Sequence, residues 1–182
     1  MRQDLFAIPI FTDVVDLSKI HLYDEKVKPS FRTGIKTSYN CKNKIKKESL
    51  LYLNNIINLH LSELLSSYKK IEIKQIWRNI YTETDYQDPH IHSGSQWSFI
   101  IYEKVKKSNT VFLNANRHMI ETTMNGYDVC QGNYCLNTYF TQAYKPNFVS
   151  GDIVIFPSFL EHFVLAGNKG STISGNIHCF EK

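Results

Sequence analysis

The spacing of apolar residues changes once along the chain, from a helical period to runs typical of strands. Between residues 47 and 68, Leu50, Leu53, Ile57, Leu61, Leu64 and Leu65 recur at i, i+3, i+4 and i+7 steps, and Leu51 and Leu59 widen the stripe. That spacing predicts an amphipathic helix with one well-buried face, opening at Lys47-Glu48 or at Ser49. From residue 71 the apolar residues gather in short runs, rich in β-branched and aromatic types and cut by turn signals, which predicts strands. Ile71, Ile73 and Ile76 lead one run through Trp77 to Tyr81, and Thr82–Asp85 turns it. Further strands are predicted over 96–102, 110–114, 153–157 (after a turn at 148–152), 163–165 and 172–178. Residues 5–16 read as a short edge strand, where Pro9 is tolerated because an edge N–H needs no partner. Residues 17–46 are polar without a clear period. Residues 115–145, rich in Gly and Asn, predict a long loop with a short strand near 134–139.

A helix followed by about eight short strands with regular turn signals predicts a mainly β sandwich or jelly roll, with the N-terminal helix as its support. No internal repeat or linker divides the chain, and 182 residues suit a single domain over 1–182. No apolar run approaches the ~20 residues of a membrane span. The start lacks a secretory pattern, because Asp4 interrupts it, so a cytoplasmic setting is expected. The net charge of +4 adds little. Much of it comes from Lys36, Lys42, Lys44, Lys46 and Lys47, a run with one aromatic residue (Tyr39) and no arginine. It predicts a solvated loop rather than a nucleic-acid arm. Cys41, Cys130, Cys135 and Cys179 match no zinc pattern and are expected to be reduced thiols, with a Cys130–Cys135 metal pair the weaker alternative.

Candidate chemistry lies in Asp88-Pro89-His90-Ile91-His92 and, about seventy residues on, in Glu161-His162. Residues two apart on a strand share a face, and neutral imidazole is the commonest metal ligand. Taken singly, each histidine reads as a structural residue. Together, each lies between a turn and a strand, near a sheet end, with Trp97, Phe99, Phe156, Phe159 and Phe163 around them. That setting supports a metal site of His90, His92 and His162 at the mouth of a jelly roll. His60 reads as a packing residue on the helix, His118 as a loop residue and His178 as a surface or supporting residue. Glu161 reads as facing away from His162.

Three segments carry a family resemblance: Phe6-Ala7-Ile8-Pro9-Ile10, residues 85–102 around His90 and His92, and residues 151–162 ending in His162. They resemble the 2-oxoglutarate/Fe(II)-dependent oxygenases, in the branch of marine bacteria and their phages that is distantly similar to prolyl hydroxylases. The likeness covers most of the chain and is weakest over residues 17–70. It implies a double-stranded β-helix, Fe(II) held by His90, His92 and His162, and 2-oxoglutarate as co-substrate. The chain departs from the superfamily twice. His92 stands where a carboxylate is usual. Ser171 and Thr172 stand where Arg or Lys usually holds the far carboxylate of 2-oxoglutarate, a role suited to a guanidinium.

The co-substrate would then be met by Thr172 and Ser174 as neutral donors, or by a cation from elsewhere, with Arg117, Lys104 and Arg78 the candidates and Lys169 off register. Tyr102 lies where similar enzymes present a tyrosine to the co-substrate, and equally where a strand tyrosine packs a core. Strand parity leaves open whether Asn114 and Asn176 face the mouth. Three functions follow: an Fe(II) oxygenase hydroxylating a small molecule or peptide with 2-oxoglutarate, a three-histidine cupin-like dioxygenase or lyase without it, or a non-catalytic binding module. Loop 115–145 is expected to set specificity.

Overall fold

In a computed structural model, which describes residues 7–23, 26–30, 33–39, 41, 44–62, 68–123 and 142–181, the strands form two facing antiparallel sheets with a helix across the outer face of the larger one. Strand β1 (Phe11–Val14), a 3-10 turn at Leu17–Lys19, β2 (Leu22–Tyr23), β3 (Lys28–Pro29), β4 (Lys36–Thr37) and β5 (Lys44–Ile45) precede helix α1 (Lys47–Leu61). The chain continues through β6 (Tyr68–Tyr81), β7 (Gln87–His90), β8 (Trp97–Lys104), β9 (Thr110–Leu113), helix α2 (Arg117–Thr123), β10 (Ala143–Tyr144), β11 (Asp152–Pro157), β12 (His162–Val164) and β13 (Gly170–Glu181). The larger sheet runs β1-β11-β8-β13-β6-β4-β3 and the smaller β10-β9-β12-β7, while β2 and β5 pair separately. The fold is a jelly roll with a supporting helix.

Strand alternation gives the larger sheet two unlike faces. Outward, Phe99, Ile101, Ile153, Ile155, Ile173 and Ile177 pack against Leu53, Ile57 and Leu61 of α1. Gly175 lies within this face because a Cβ there would stand 2.3 Å from Cε1 of Phe99. Toward the smaller sheet the same strands turn one apolar and one polar half. Ile100, Tyr102, Phe112, Phe148, Val154, Phe156 and Leu160 form the apolar half. Trp77, Asn79 and Tyr81 of β6 lie beside Thr172 and Ser174 of β13 in the polar half.

Several predicted elements shift. Among the described residues the N-terminal strand spans Phe11–Val14, and it does lie at a sheet edge, against β11. The helix stops at Leu61, and the predicted positions Leu64 and Leu65 lie outside the described residues. Leu51 and Leu59 point to solvent instead of widening the buried stripe. The lysine run is no plain loop, since Lys36 lies in β4, Lys44 in β5 and Lys47 opens α1. Strand β7 was not expected, because Asp88 and Pro89 are poor strand formers; Pro89 is accepted on an edge strand. Helix α2 occupies part of the predicted loop. Cys130, Cys135 and the segment 134–139 fall outside the described residues. Among the described residues, no helix is long and apolar enough to cross a membrane.

The buried face of α1 yields the first prediction. Ile57 is fully buried and Leu59 is 70% exposed. Urea unfolding should show Ile57→Ala losing about 2–5 kcal/mol, whereas Leu59→Ala should stay within about 0.5 kcal/mol of the parent. Equal losses would mean that the helix faces the sheet differently.

Candidate metal centre

His162 opens β12 and pairs directly across the ladder with His90, the last residue of β7. Their ring centroids are 4.3 Å apart. His92 lies beyond the end of β7, where the chain has left the sheet, and its N–H donates to the carbonyl of Ser158 at 2.9 Å. Its ring lies 5.5 Å from that of His90 and 5.1 Å from that of His162. Convergence therefore comes from cross-strand pairing and a turn, and not from the i, i+2 parity of one strand. One candidate ligand atom from each ring lies within 4.8 Å of the other two.

The hydrogen bonds decide which atoms these are. The Nδ1 of His90 lies 2.7 Å from the carbonyl of Asp88, and that of His162 lies 3.0 Å from the carbonyl of Leu160. A carbonyl only accepts, so both Nδ1 atoms carry the proton and both Nε2 atoms keep a lone pair. The Nδ1 of His92 donates to Oδ1 of Asn176 at 2.8 Å, and the Asn176 amide donates onward to Oε1 of Gln75 at 3.2 Å. Oδ1 of Asn176 also accepts from Ser98, whose hydroxyl continues to Ser158 and Ser95. Such partners orient metal-binding histidines. The Gln87 amide donates to the Nε2 of His90 at 3.2 Å, while its oxygen accepts from the Tyr81 hydroxyl at 3.1 Å.

Trp77, Phe112 and Phe156 wall the rings, with Phe156 4.9 Å from His162. Burial lowers all three histidine pKa values, that of His92 to about 4 and that of His162 well below the ordinary 6.5. At neutral pH the rings are uncharged, the form that binds metal. Burial also pushes the Tyr81 phenol up to about 12, so it remains a donor. Three neutral nitrogen lone pairs converging on one space fit a divalent cation with imidazole affinity, such as Fe(II). Among the described residues, no carboxylate joins the cluster.

Two spaces meet at the histidines. An open groove of about 690 Å³ leads to His90 and His92 between Tyr39, Trp77, Lys28, Ile35 and Ile91. A closed cavity of about 10 Å³ lies behind them, lined by Asn79, Tyr81, Thr110, Asn168, Thr172 and Ser174. The structure thus brings Thr172 and Ser174 beneath the histidines, but not the other two expected cofactor residues. Tyr102 is fully buried, with its ring 5.0 Å from that of Phe148 in the apolar half. Arg117 reaches Glu161 at 2.8 Å. Arg78 forms a two-pronged pair with Glu103, which also accepts from the Ser171 hydroxyl. His60 bonds Asp13 at 2.8 Å and ties α1 to β1. Gln87, Tyr81, Asn79 and Asn168 were not expected at the site. The alternating Trp77, Asn79 and Tyr81 of β6 held a signal for two of them, because polar residues at every second strand position mark a shared face.

Residues 75–174 match the profile of a family described as "Putative 2OG-Fe(II) oxygenase". No curated protein matches the chain. Among solved structures, an oxidoreductase of the 2OG-Fe(II) oxygenase family from Burkholderia pseudomallei superposes with a TM-score of 0.53 at 10% identity, covering 85% of this chain and 72% of that one. A prolyl-4-hydroxylase from Pseudomonas putida gives 0.52 at 10% identity, covering 86% and 78%. HygX from Streptomyces hygroscopicus, solved with nickel, 2-oxoglutarate and hygromycin B bound, gives 0.50 at 8% identity, covering 94% and 82%. At these identities the likeness is one of fold.

Neutral burial of the histidines makes stability depend on pH. Between the free value of 6.5 and the lowered folded values, about 4 for His92, the unfolded chain binds protons that the folded chain refuses. Stability is therefore full above pH 6.5 and declines as pH falls through that window. The slope is about 1.4 kcal/mol per pH unit for each such histidine. Melting of the metal-free protein from pH 7.5 to 4.5 should show Tm falling across the window, with a shallower fall for His162→Leu. A Tm independent of pH, or an unchanged slope in the variant, would contradict neutral burial.

Proposed function

The chain belongs to the 2OG-Fe(II) oxygenase family, and from that premise we propose that His90, His92 and His162 hold its Fe(II) through their Nε2 atoms and that it hydroxylates a small molecule or a peptide. The observation that carries this reading is the convergence of three Nε2 atoms whose Nδ1 protons are all engaged. With 2-oxoglutarate, the iron supplies the oxidising power that places one atom of O₂ in a substrate C–H bond while the co-substrate becomes succinate and CO₂.

The protein's own residues act around that chemistry. Asp88, Leu160 and Asn176 hold the three rings in the ligand tautomer. Trp77, Phe112 and Phe156 pack against the rings and limit their movement. The Gln87 amide, which donates to the Nε2 of His90, would have to give up that hydrogen bond, worth about 1 kcal/mol, for His90 to hold a metal. The open groove between Tyr39 and Trp77 receives the substrate, and its volume of about 690 Å³ lies in the range of small-molecule sites. The whole of residues 1–182 acts as one catalytic unit, in a cytoplasmic setting where Cys41 and Cys179 stay free thiols. Family membership favours this reading over a cupin-like enzyme that dispenses with 2-oxoglutarate and over a non-catalytic module.

Loading the protein with Fe(II) under anaerobic conditions should give one iron per chain. Adding 2-oxoglutarate and O₂ should then release succinate, with slow turnover even without substrate. His162→Ala and His92→Ala should each bind iron at least 100-fold more weakly, since losing a ligand costs several kcal/mol where losing only a supporting partner costs 10–100-fold. Iron bound stoichiometrically by both variants would move the site elsewhere.

A further inference from the structure

His92 differs from the other two rings in what holds it. The Nδ1 protons of His90 and His162 are fixed by backbone carbonyls, of Asp88 and Leu160, which can only accept. That of His92 meets a side-chain amide, Asn176, at 2.8 Å. An amide turned end for end fills nearly the same space and exchanges its acceptor for a donor. Turned so, Asn176 would donate from Nδ2 to the Nδ1 of His92. The ring proton would then sit on Nε2, and the lone pair that should meet the metal would be lost. Asn176 by itself therefore leaves His92 undecided between ligand and non-ligand.

Two further side chains bond that amide. The Ser98 hydroxyl, 3.3 Å from Oδ1, can swing to donate or to accept, so it follows the amide and does not direct it. Gln75 of β6 accepts from Nδ2 of Asn176 through its Oε1 at 3.2 Å. Gln75 is itself an amide and would turn with Asn176 if nothing held it. Its Nε2 lies 3.4 Å from the carbonyl of Tyr39. That carbonyl only accepts, so Nε2 is the end that faces it. Oε1 is then the end that faces Asn176, and Oδ1 the end that faces His92. The segment carrying the Tyr39 carbonyl is anchored in turn. Ser38 and Arg78 exchange two hydrogen bonds of 3.0 and 2.9 Å, and the N–H of Cys41 donates to the Ser38 carbonyl at 3.0 Å. The Tyr39 ring stands edge-on to Trp77 at 4.8 Å, and Trp77 packs on His92 at 5.5 Å.

Resting on the metal reading of the three histidines, we propose that Gln75 is a positioning residue. It passes the polarity of the Tyr39 carbonyl through Asn176 to His92, and so keeps the Nε2 of His92 free for the metal. A carboxylate at this position would offer lone pairs on both oxygens, whereas a neutral imidazole offers one, so the histidine needs a device that decides its tautomer. Tyr39 also lines the open groove. The wall that meets the substrate is thereby the wall that orders this ligand.

NMR of the metal-free protein, with its histidine ring nitrogens isotopically labelled, reads at neutral pH which nitrogen of each ring carries the proton. In the parent all three should carry it on Nδ1. Gln75→Leu frees the Asn176 amide, so His92 should become a mixture of both forms, while His90 and His162, held by the backbone, stay as they were. Gln75→Lys can only donate, so it should turn Asn176 over and put the His92 proton on Nε2. Gln75→Glu can only accept, so it should keep the parent form. The glutamate and lysine variants carry the test if the leucine variant does not fold. Ni(II) affinity by calorimetry should follow the same order, with Gln75→Glu close to the parent and the other two weaker by about 10–100-fold, as for partners of metal-binding histidines. A merely structural role would not separate glutamate from lysine at His92. If the parent binds Ni(II) but carries the His92 proton on Nε2, or if His92 is unchanged in the lysine variant, the proposal fails while the metal reading stands. If the parent binds no Ni(II), both fall.

Discussion

The site depends on three protons staying where carbonyl oxygens hold them. Two of those oxygens, of Asp88 and Leu160, belong to the backbone and come with the fold itself. The third is the side chain of Asn176, on the opposite sheet. His90 and His162 thus ride on the smaller sheet, while His92 is tied to the larger. The triad closes only at the right separation of the two sheets. That separation is set by Phe112, Phe156 and their neighbours between the sheets, and the larger sheet is backed by α1. A residue such as Ile57, far from any ligand atom, therefore acts on the site through packing.

The arrangement is unfavourable to the bare protein. Nitrogen lone pairs facing one another in a dry space repel, and the rings lose the option of protonation that water would give them. Only Nε2 of His90 has a partner in the described structure, the Gln87 amide. The unpaired Nδ2 of Asn168 adds a second such cost a short way behind. Both lie in the polar half between the sheets; the buried hydroxyls of Tyr102, in the apolar half, and of Thr33 also lack a hydrogen-bond partner. The converging lone pairs of the triad are the departure that a bound cation would complete.

Much of this was legible in the sequence. The period of α1 and the apolar runs of β6, β8, β11 and β13 were readable because burial on one face imposes its repeat directly on the residues. His90, His92 and His162 stood out because three imidazoles beside turns have few other uses in common. The strand β7 was hidden because Asp88 and Pro89 are accepted there for its edge position, which no local pattern records. The closing of the triad by the His90–His162 cross-strand pair was equally hidden, since register between strands seventy residues apart is a tertiary fact. Tyr102 and Arg117 misled for a related reason. A tyrosine in a strand and a lone arginine are read by type, while their partners, Phe148 and Glu161, are known only from the fold. Asn168 gave no signal, because an asparagine after a glycine reads as an ordinary turn.

The two oddities of the sequence, a histidine at 92 and no cation at 171 or 172, belong to one electrostatic arrangement. A carboxylate ligand would cancel one of the metal's charges, and a dicarboxylate bound at the same centre would then need a cation from the protein. With His92 neutral, the ion keeps both charges, and a buried arginine in the inner cavity would carry excess charge at a high desolvation cost. The uncharged lining of Asn79, Tyr81, Asn168 and Thr172 is the surface that such a balance calls for. It follows that the affinity of this protein for an anionic co-substrate should fall sharply when the metal is removed, because among the described residues no lysine or arginine lines the inner cavity. A protein that holds the far carboxylate with its own arginine would keep part of that affinity. The ligand set and the pocket lining are thus coupled, and neither is a defect that the other must repair.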